Sequence, residues 1–169
     1  GDVAVQPFEL DWDPAGFVRQ TTNHEQIDAV LKTYAEADYL HSTKPPGVSS
    51  WSTRLGEERI RFVADNLQTL EKGDFLEVGG GSTYVGERVL NDFGAGHYTI
   101  IDPAALVPEI LPPNLNVIKG YFDASTANDR ELDGIFGFHV FEHLPDPIGF
   151  LHTARACVAA RDGRIALAF

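Results

Sequence analysis

Three glycines between an apolar run and a helical pattern are the first residues of this sequence that could bind a ligand. The apolar run 75–78 contains one acid, Glu77, and the glycines that follow it are Gly79, Gly80 and Gly81. Glycines let a ligand approach the backbone, and the free N–H groups of the next helix start favour electron-rich groups. Asp102 comes 21 residues after Gly81 and ends a second apolar run. An acid at the tip of the next parallel strand is placed to hold a ribose diol.

Two classes of cofactor use such a loop, and the glycine spacing separates them. The dinucleotide fingerprint needs a third glycine at position 84, which is Tyr84. The spacing Glu-x-Gly-x-Gly at residues 77–81 instead resembles motif I of class I S-adenosylmethionine-dependent methyltransferases. The resemblance continues through 101–103 and through 139–147, where Glu-His-Leu-Pro-Asp-Pro is similar to the segment after strand four of many small-molecule methyltransferases. It covers residues 54–169.

The resemblance implies a Rossmann-like three-layer α/β sandwich with a parallel sheet. Residues 1–53 are interpreted as an N-terminal arm and helix, and residues 54–169 as the cofactor-binding core. The resembled fold has seven strands, whereas the sequence stops at 164–169, which has the pattern of strand five. We therefore expect strands six and seven to be absent and the chain to be a fragment or one domain of a longer protein. The exposed edge strand 164–169 would then associate with further domains or a partner.

Hydrophobic patterns place the elements that must position these residues. From residue 74 onward strands alternate with helices, which predicts helices on both faces of a parallel sheet. A helix ahead of the first strand extends to Gly73, and a capping box at Thr22 opens an earlier helix. Residues 1–20 have no periodicity and are expected to form an extended arm. The expected strands are 74–79, 97–101, 115–119, 133–138 and 164–169.

Several contacts with the cofactor are implied by the resemblance. Glu77 would lie near its methionine end, Asp102 would bind the ribose, and the segment after strand three would bind the adenine. Which residue of 120–123 does so stays open, and a core Phe122 with a solvated Asp123 is the structural alternative. The complete set of expected cofactor residues is Glu77, Gly79, Gly80, Gly81, Asp102, Pro103, Phe122, Asp123 and His139.

His139, Glu142 and His143 follow strand four at the crevice edge of the sheet. Methyl transfer requires donor and nucleophile to be aligned, with a base where the nucleophile carries a proton. His143 or His139 is the candidate base, and a structural role for the Glu-His pair is the alternative. Glu142 and His143, with His139 and His152, could also be considered as metal ligands. Prolines interrupt the helix between them, so we expect no metal site.

Composition narrows the class of partner. The net charge is −12, and the 13 Lys and Arg residues are scattered, which argues against nucleic acid. The single cysteine, Cys157, fits a reducing cytoplasm, and no apolar run is long enough to cross a membrane. The sequence therefore predicts a cytoplasmic enzyme that transfers a methyl group from S-adenosylmethionine to a small metabolite, such as a sugar, lipid-like or secondary-metabolite acceptor. The alternatives are a non-catalytic cofactor-binding domain of a larger protein and an NAD-dependent oxidoreductase, which lacks support because there is no Tyr-x-x-x-Lys pair.

Overall fold

A parallel sheet carries the predicted core. The computed structural model describes residues 9–12, 18–21, 32, 50–67, 70–127 and 130–169. Within these residues the sheet has five parallel strands in the order β5-β4-β3-β6-β7. Its strands are β3 (Asp74–Val78), β4 (His97–Ile101), β5 (Leu115–Ile118), β6 (Gly134–Phe138) and β7 (Arg164–Ala168). Two shorter strands, β1 (Glu9–Trp12) and β2 (Val18–Thr21), pair with each other in antiparallel fashion.

Helices cover both faces of this sheet. The described helices are α1 (Ser50–Asn66), α2 (Tyr84–Phe93), α3 (Ala124–Ala127) and α4 (Pro147–Ala159), with a 3₁₀ turn at Phe141–His143. Side chains alternate along each strand, so the two faces build two cores. One core joins the sheet to α1 and α2, and the other joins it to α3 and α4. These three layers confirm the predicted Rossmann-like sandwich.

Strand β3 lies at the centre of the sheet, and its residues are buried on both faces. Leu76 and Val78 pack with α4, whereas Phe75 packs with α1 and α2. Glu77 also lies on the α1 side and is fully buried. In register, Val78 pairs with Ile101 of β4, which brings the glycine turn after β3 next to the acid after β4.

The predicted end of the helix ahead of the sheet is wrong. Helix α1 ends at Asn66 and not near Gly73, although Leu67 and Leu70 are buried as expected. These leucines keep the helical spacing but pack against the sheet from a connecting segment. On α4, the buried stripe runs through Phe150, Ala154, Cys157 and Val158, whereas Ile148 is 61% exposed.

Some expectations concern residues outside the described ranges, and others can be compared with the structure. The expected helix after Thr22 lies outside them, apart from Lys32, which is helical. Strand β7 is an edge of the described sheet, since its only described neighbour is β6. None of the described helices has the length and apolar character that crossing a membrane would require.

Candidate functional site

A cavity of about 500 Å³ opens at the carboxyl ends of the parallel strands. It lies on the α4 side of the sheet, between the segments that follow β3, β4, β5 and β6 and the first turns of α4. Open α/β sheets bind ligands at this edge. The lining residues are Val78, Gly79, Ile101, Asp102, Pro103, Ala104, Gly120, Tyr121, Phe122, Asp123, Ala124, His139, Val140, His143, Leu144, Pro145, Asp146, Gly149, Phe150 and Thr153.

The glycine turn brings backbone to the rim of the cavity. Gly79 has φ = +73°, a conformation that other residues rarely adopt. A Cβ atom at this position would also lie 2.1 Å from Cγ2 of Val140, so the turn packs directly on the segment after β6. Gly80 faces inward instead, where its Cβ would lie 2.9 Å from Cγ2 of Ile100 and 3.0 Å from Cδ of Glu77. Only glycine therefore fits both positions without displacing neighbours.

Asp102 links the two strand ends. Its carboxylate accepts a hydrogen bond from Gly81 N–H at 2.9 Å and another from Ala104 N–H at 2.6 Å. It is 8% exposed and lines the cavity. Burial raises the pKa of Asp102, and the two backbone N–H groups oppose that rise. Burial also raises the pKa of Tyr121, and the nearby Asp102 charge adds to that effect. A carboxylate has about four lone-pair sites, so Asp102 keeps acceptor capacity for a ligand in the cavity.

Glu77 lies beneath the glycine turn and does not line the cavity. Its Oε2 accepts a hydrogen bond from the Tyr98 hydroxyl at 2.9 Å, while its Oε1 is buried and has no hydrogen-bond partner among the described residues. Burial raises the pKa of Glu77 to about 7, against the opposing influence of the Arg59 charge and the Tyr98 hydrogen bond. The Arg59 guanidinium lies 5.3 Å from the ring centre of Phe138. Glu77 is thus bonded to β4 inside the core in this structure.

The segment after β5 has two different side chains on the cavity. Phe122 packs edge-on against Phe150, with ring centres 5.1 Å apart, and so forms an apolar wall. Asp123 is exposed, and its Oδ1 accepts hydrogen bonds from the backbone N–H groups of Ser125 and Thr126. Hydrogen bonds from Ser125 and Thr126 lower the pKa of Asp123, which favours its carboxylate form. The wall and the carboxylate suit a flat heterocycle with an amino group.

The two histidines share one carboxylate after β6. Nδ1 of His139 lies 3.7 Å and Nε2 of His143 lies 4.0 Å from Oε1 of Glu142. His139 has φ = +54°, and its N–H donates to the carbonyl of Ala168 at 2.7 Å. A left-handed residue other than glycine is strained, and such strain is concentrated at functional sites. Both histidines line the cavity, and their role as bases stays a prediction.

A comparison with protein families identifies the family of this chain. A family model described as a methyltransferase domain matches residues 55–168, which is most of the chain. The chain belongs to the methyltransferase domain family. Its class is that of the S-adenosylmethionine-dependent class I enzymes, and the cofactor of this family is S-adenosylmethionine, as the sequence predicted. No curated protein sequence matches the chain.

Solved structures of two methyltransferases and of a cyclase share this fold at low sequence identity. Coclaurine N-methyltransferase, bound to N-methylheliamine and S-adenosylhomocysteine, has a TM-score of 0.54 and 13% identity over 85% of this chain and 46% of its own. Phosphoethanolamine N-methyltransferase 1 of Haemonchus contortus has a TM-score of 0.53 and 16% identity over 79% and 29%. The [4+2]-cyclase SpnF has a TM-score of 0.51 and 16% identity over 80% and 54%. The chain therefore spans about half or less of the length of these structures.

Seven residues expected at the site of this methyltransferase domain meet at the cavity, whereas three lie behind it. Those that line it are Gly79, Asp102, Pro103, Phe122, Asp123, His139 and His143. Glu77, Gly80 and Gly81 do not line it, so their contact with the cofactor stays a prediction. The described residues contain no group of three or more His, Cys, Asp or Glu side chains that could hold a metal ion.

Sequence reasoning missed the contribution of α4 to the site. Gly149, Phe150 and Thr153 line the cavity from its first turns. The sequence carried one usable signal, since Asp146-Pro147 marks a helix start, and Asp146 Oδ1 does accept from Gly149 N–H at 2.9 Å. A helix that starts at the crevice edge must present its first turns to the ligand.

Proposed function

We propose that this chain binds S-adenosylmethionine in the cavity and transfers its methyl group to a small metabolite. The observation that carries this proposal is the arrangement of the cavity in a methyltransferase domain. Asp102 lies after β4 with acceptor capacity left for a ribose, and His139 and His143 follow β6. S-adenosylmethionine would supply an electrophilic methyl group on a sulfonium.

The residues of the cavity fit the parts of this cofactor. Asp102 and the adjacent Pro103 would hold the ribose, and the Phe122 wall with the Asp123 carboxylate would hold the adenine. Gly79 would let the remaining part pass close to the backbone at the boundary with Val140. That boundary adjoins His139, so a base there would lie beside the bound donor.

Calorimetric titration tests the binding part of the proposal. The protein is titrated with S-adenosylmethionine, with S-adenosylhomocysteine and with NAD. We expect the first two to bind and NAD to give no heat. Binding of NAD alone would favour the oxidoreductase alternative and refute the proposal.

The catalytic part is tested with single variants of the two histidines. We expect either variant, His139→Ala or His143→Ala, to lower turnover, measured as S-adenosylhomocysteine formation, by about 10²-fold or more. We expect only His143→Ala to leave cofactor affinity little changed, because His139 is also an expected cofactor contact. His97→Ala, on an exposed side chain at the other end of β4, is the matched control. Equal losses of turnover, affinity and melting temperature would assign the Glu-His pair a structural role.

Cofactor binding without turnover would support the alternative of a non-catalytic domain. That alternative is worth testing because the fold is shared by a [4+2]-cyclase, so the fold alone does not determine the reaction.

Association through the β7 edge also stays a proposal, which sedimentation velocity of the purified chain tests. A monomer at all concentrations would contradict association between copies through that edge.

A further inference from the structure

The charged groups around the cavity are of one sign. Asp102, Asp123 and Asp146 line it, and Glu142 lies beside it between the two histidines. No lysine or arginine of the described residues is among the lining side chains. An acceptor that carries a phosphate or a carboxylate would meet no opposite charge from these residues, and a net charge of −12 would repel it during approach.

Glu142 is the carboxylate left for an acceptor once the cofactor's expected contacts are assigned. Asp102 and Asp123 belong to the ribose and adenine ends, and Asp146 caps α4 through Gly149 N–H. The Glu142 side chain is 37% exposed, and its Oε1 lies 3.7 Å from Nδ1 of His139 and 4.0 Å from Nε2 of His143. It can therefore face a cation that enters beside either ring.

Three aromatic side chains lie next to this carboxylate, of which Phe150 is buried, Phe141 is partly buried and Phe169 is exposed. Phe141 precedes Glu142 in the same 3₁₀ turn, and its ring stacks on Phe169 with centres 5.9 Å apart. It also meets the edge of Phe150, whose ring centre lies 6.1 Å away. Aromatic rings bind apolar groups and attract cations through their faces. The combination suits a molecule with a cationic end and an apolar body.

We infer that the methyl acceptor is a primary or secondary amine on an apolar or aromatic body, held as its ammonium ion by Glu142. This inference rests on the proposed function. The negative charge around the cavity suits an amine acceptor. The nitrogen of an amine becomes positively charged as it is methylated, and a fixed carboxylate stabilises that charge. A phenolate acceptor would instead bring a negative charge beside Glu142, which costs free energy. His139 or His143 would take the proton that the ammonium must lose before its lone pair is available.

Binding of three matched probes tests the inference without knowledge of the natural acceptor. The protein is first saturated with S-adenosylhomocysteine, and 2-phenylethylammonium, 2-phenylethanol and 3-phenylpropionate are then titrated separately by NMR. We expect the ammonium probe to bind at least about tenfold more tightly than the other two. We expect Glu142→Gln to remove this preference, and shifts of the His139 and His143 imidazole signals to accompany binding.

Glu131→Gln is the control, because it removes the same charge from an exposed side chain near the amino end of β6, at the opposite edge of the sheet. It should keep the preference for the ammonium probe. Equal affinities, tighter binding of the alcohol or the carboxylate, no binding of any probe, or a preference that survives Glu142→Gln would each overturn the inference. Failure of S-adenosylhomocysteine to bind in the first step would instead refute the proposed function.

Discussion

Replacing Glu77 by glutamine removes the ionisation of a carboxyl group that lies wholly inside the core. Burial raises the pKa of Glu77 from its ordinary value of 4.5 to about 7. The native state therefore keeps the proton to higher pH than the unfolded chain does. Between these two values the unfolded chain binds fewer protons, so this group makes stability fall as the pH rises. The loss begins near pH 4.5 and is complete above about pH 7.

The size of the effect follows from the two pKa values. A shift from 4.5 to about 7, at about 1.4 kcal/mol per unit, amounts to about 3 kcal/mol over the whole window. Most of it falls between pH 5 and pH 8. Glutamine cannot ionise, and its amide oxygen can still accept the hydrogen bond from Tyr98.

Urea unfolding of the wild type and Glu77→Gln at pH 5 and pH 8 measures this effect. We expect the stability difference between the two proteins to move in favour of the variant by about 2–3 kcal/mol from pH 5 to pH 8. Glu131→Gln, on an exposed side chain, should show no comparable change. A difference that stays constant, or that moves in favour of the wild type, would show that the Arg59 charge holds Glu77 ionised and would refute this reasoning.

Three further substitutions test the turn, the acid and the helix start. Asp102→Asn should weaken S-adenosylmethionine binding by about 1.5–3 kcal/mol in calorimetry, and unchanged affinity would leave Asp102 only a link between loops. Gly79→Ala should destabilise the fold by more than Gly94→Ala in thermal unfolding. Both have positive φ, but a Cβ at Gly94 meets nothing nearer than 3.6 Å, against 2.1 Å at Gly79, so equal losses would contradict the packing on Val140. Asp146→Ala should lower the free energy of unfolding by about 1 kcal/mol through the lost cap. An unchanged free energy of unfolding would show that Gly149 N–H has another acceptor.

Strand positions could be predicted because each strand is an apolar run bounded by turn residues. The predicted 97–101 agrees with β4, and the other sheet strands differ from prediction by one residue at an end. Runs of this kind arise where both faces of a parallel sheet are covered. The end of α1 was predicted wrongly because Leu67 and Leu70 keep a helical period outside a helix, where tertiary packing and not local propensity decides.

The site was predictable where one strand end determines it. Asp102 and His139 follow strands directly, so the order of strands alone brings them to one edge. Tyr121 beside Asp102 and Thr153 on α4 depend on how a loop and a helix pack, and sequence spacing carries no information on that distance. The burial of Glu77 could not be predicted either, because the motif shows an acid but not the face of β3 on which the acid lies.

The hydrogen bonds of Asp102 explain why a ribose site could exist before a ligand arrives. One carboxylate oxygen holds the glycine turn through Gly81, the other holds the turn after β4 through Ala104, and the carbonyl of Gly81 in turn accepts from Leu106 N–H at 2.9 Å. The acid and the turn therefore fix each other, and a ligand need not order either one. A site ordered in advance reduces the entropy that binding costs. Under the proposed function Asp102 would act twice, as a ribose contact and as the support of its own surroundings. Truncation to alanine should then cost more affinity than substitution by asparagine, which keeps an acceptor for one of the two N–H groups.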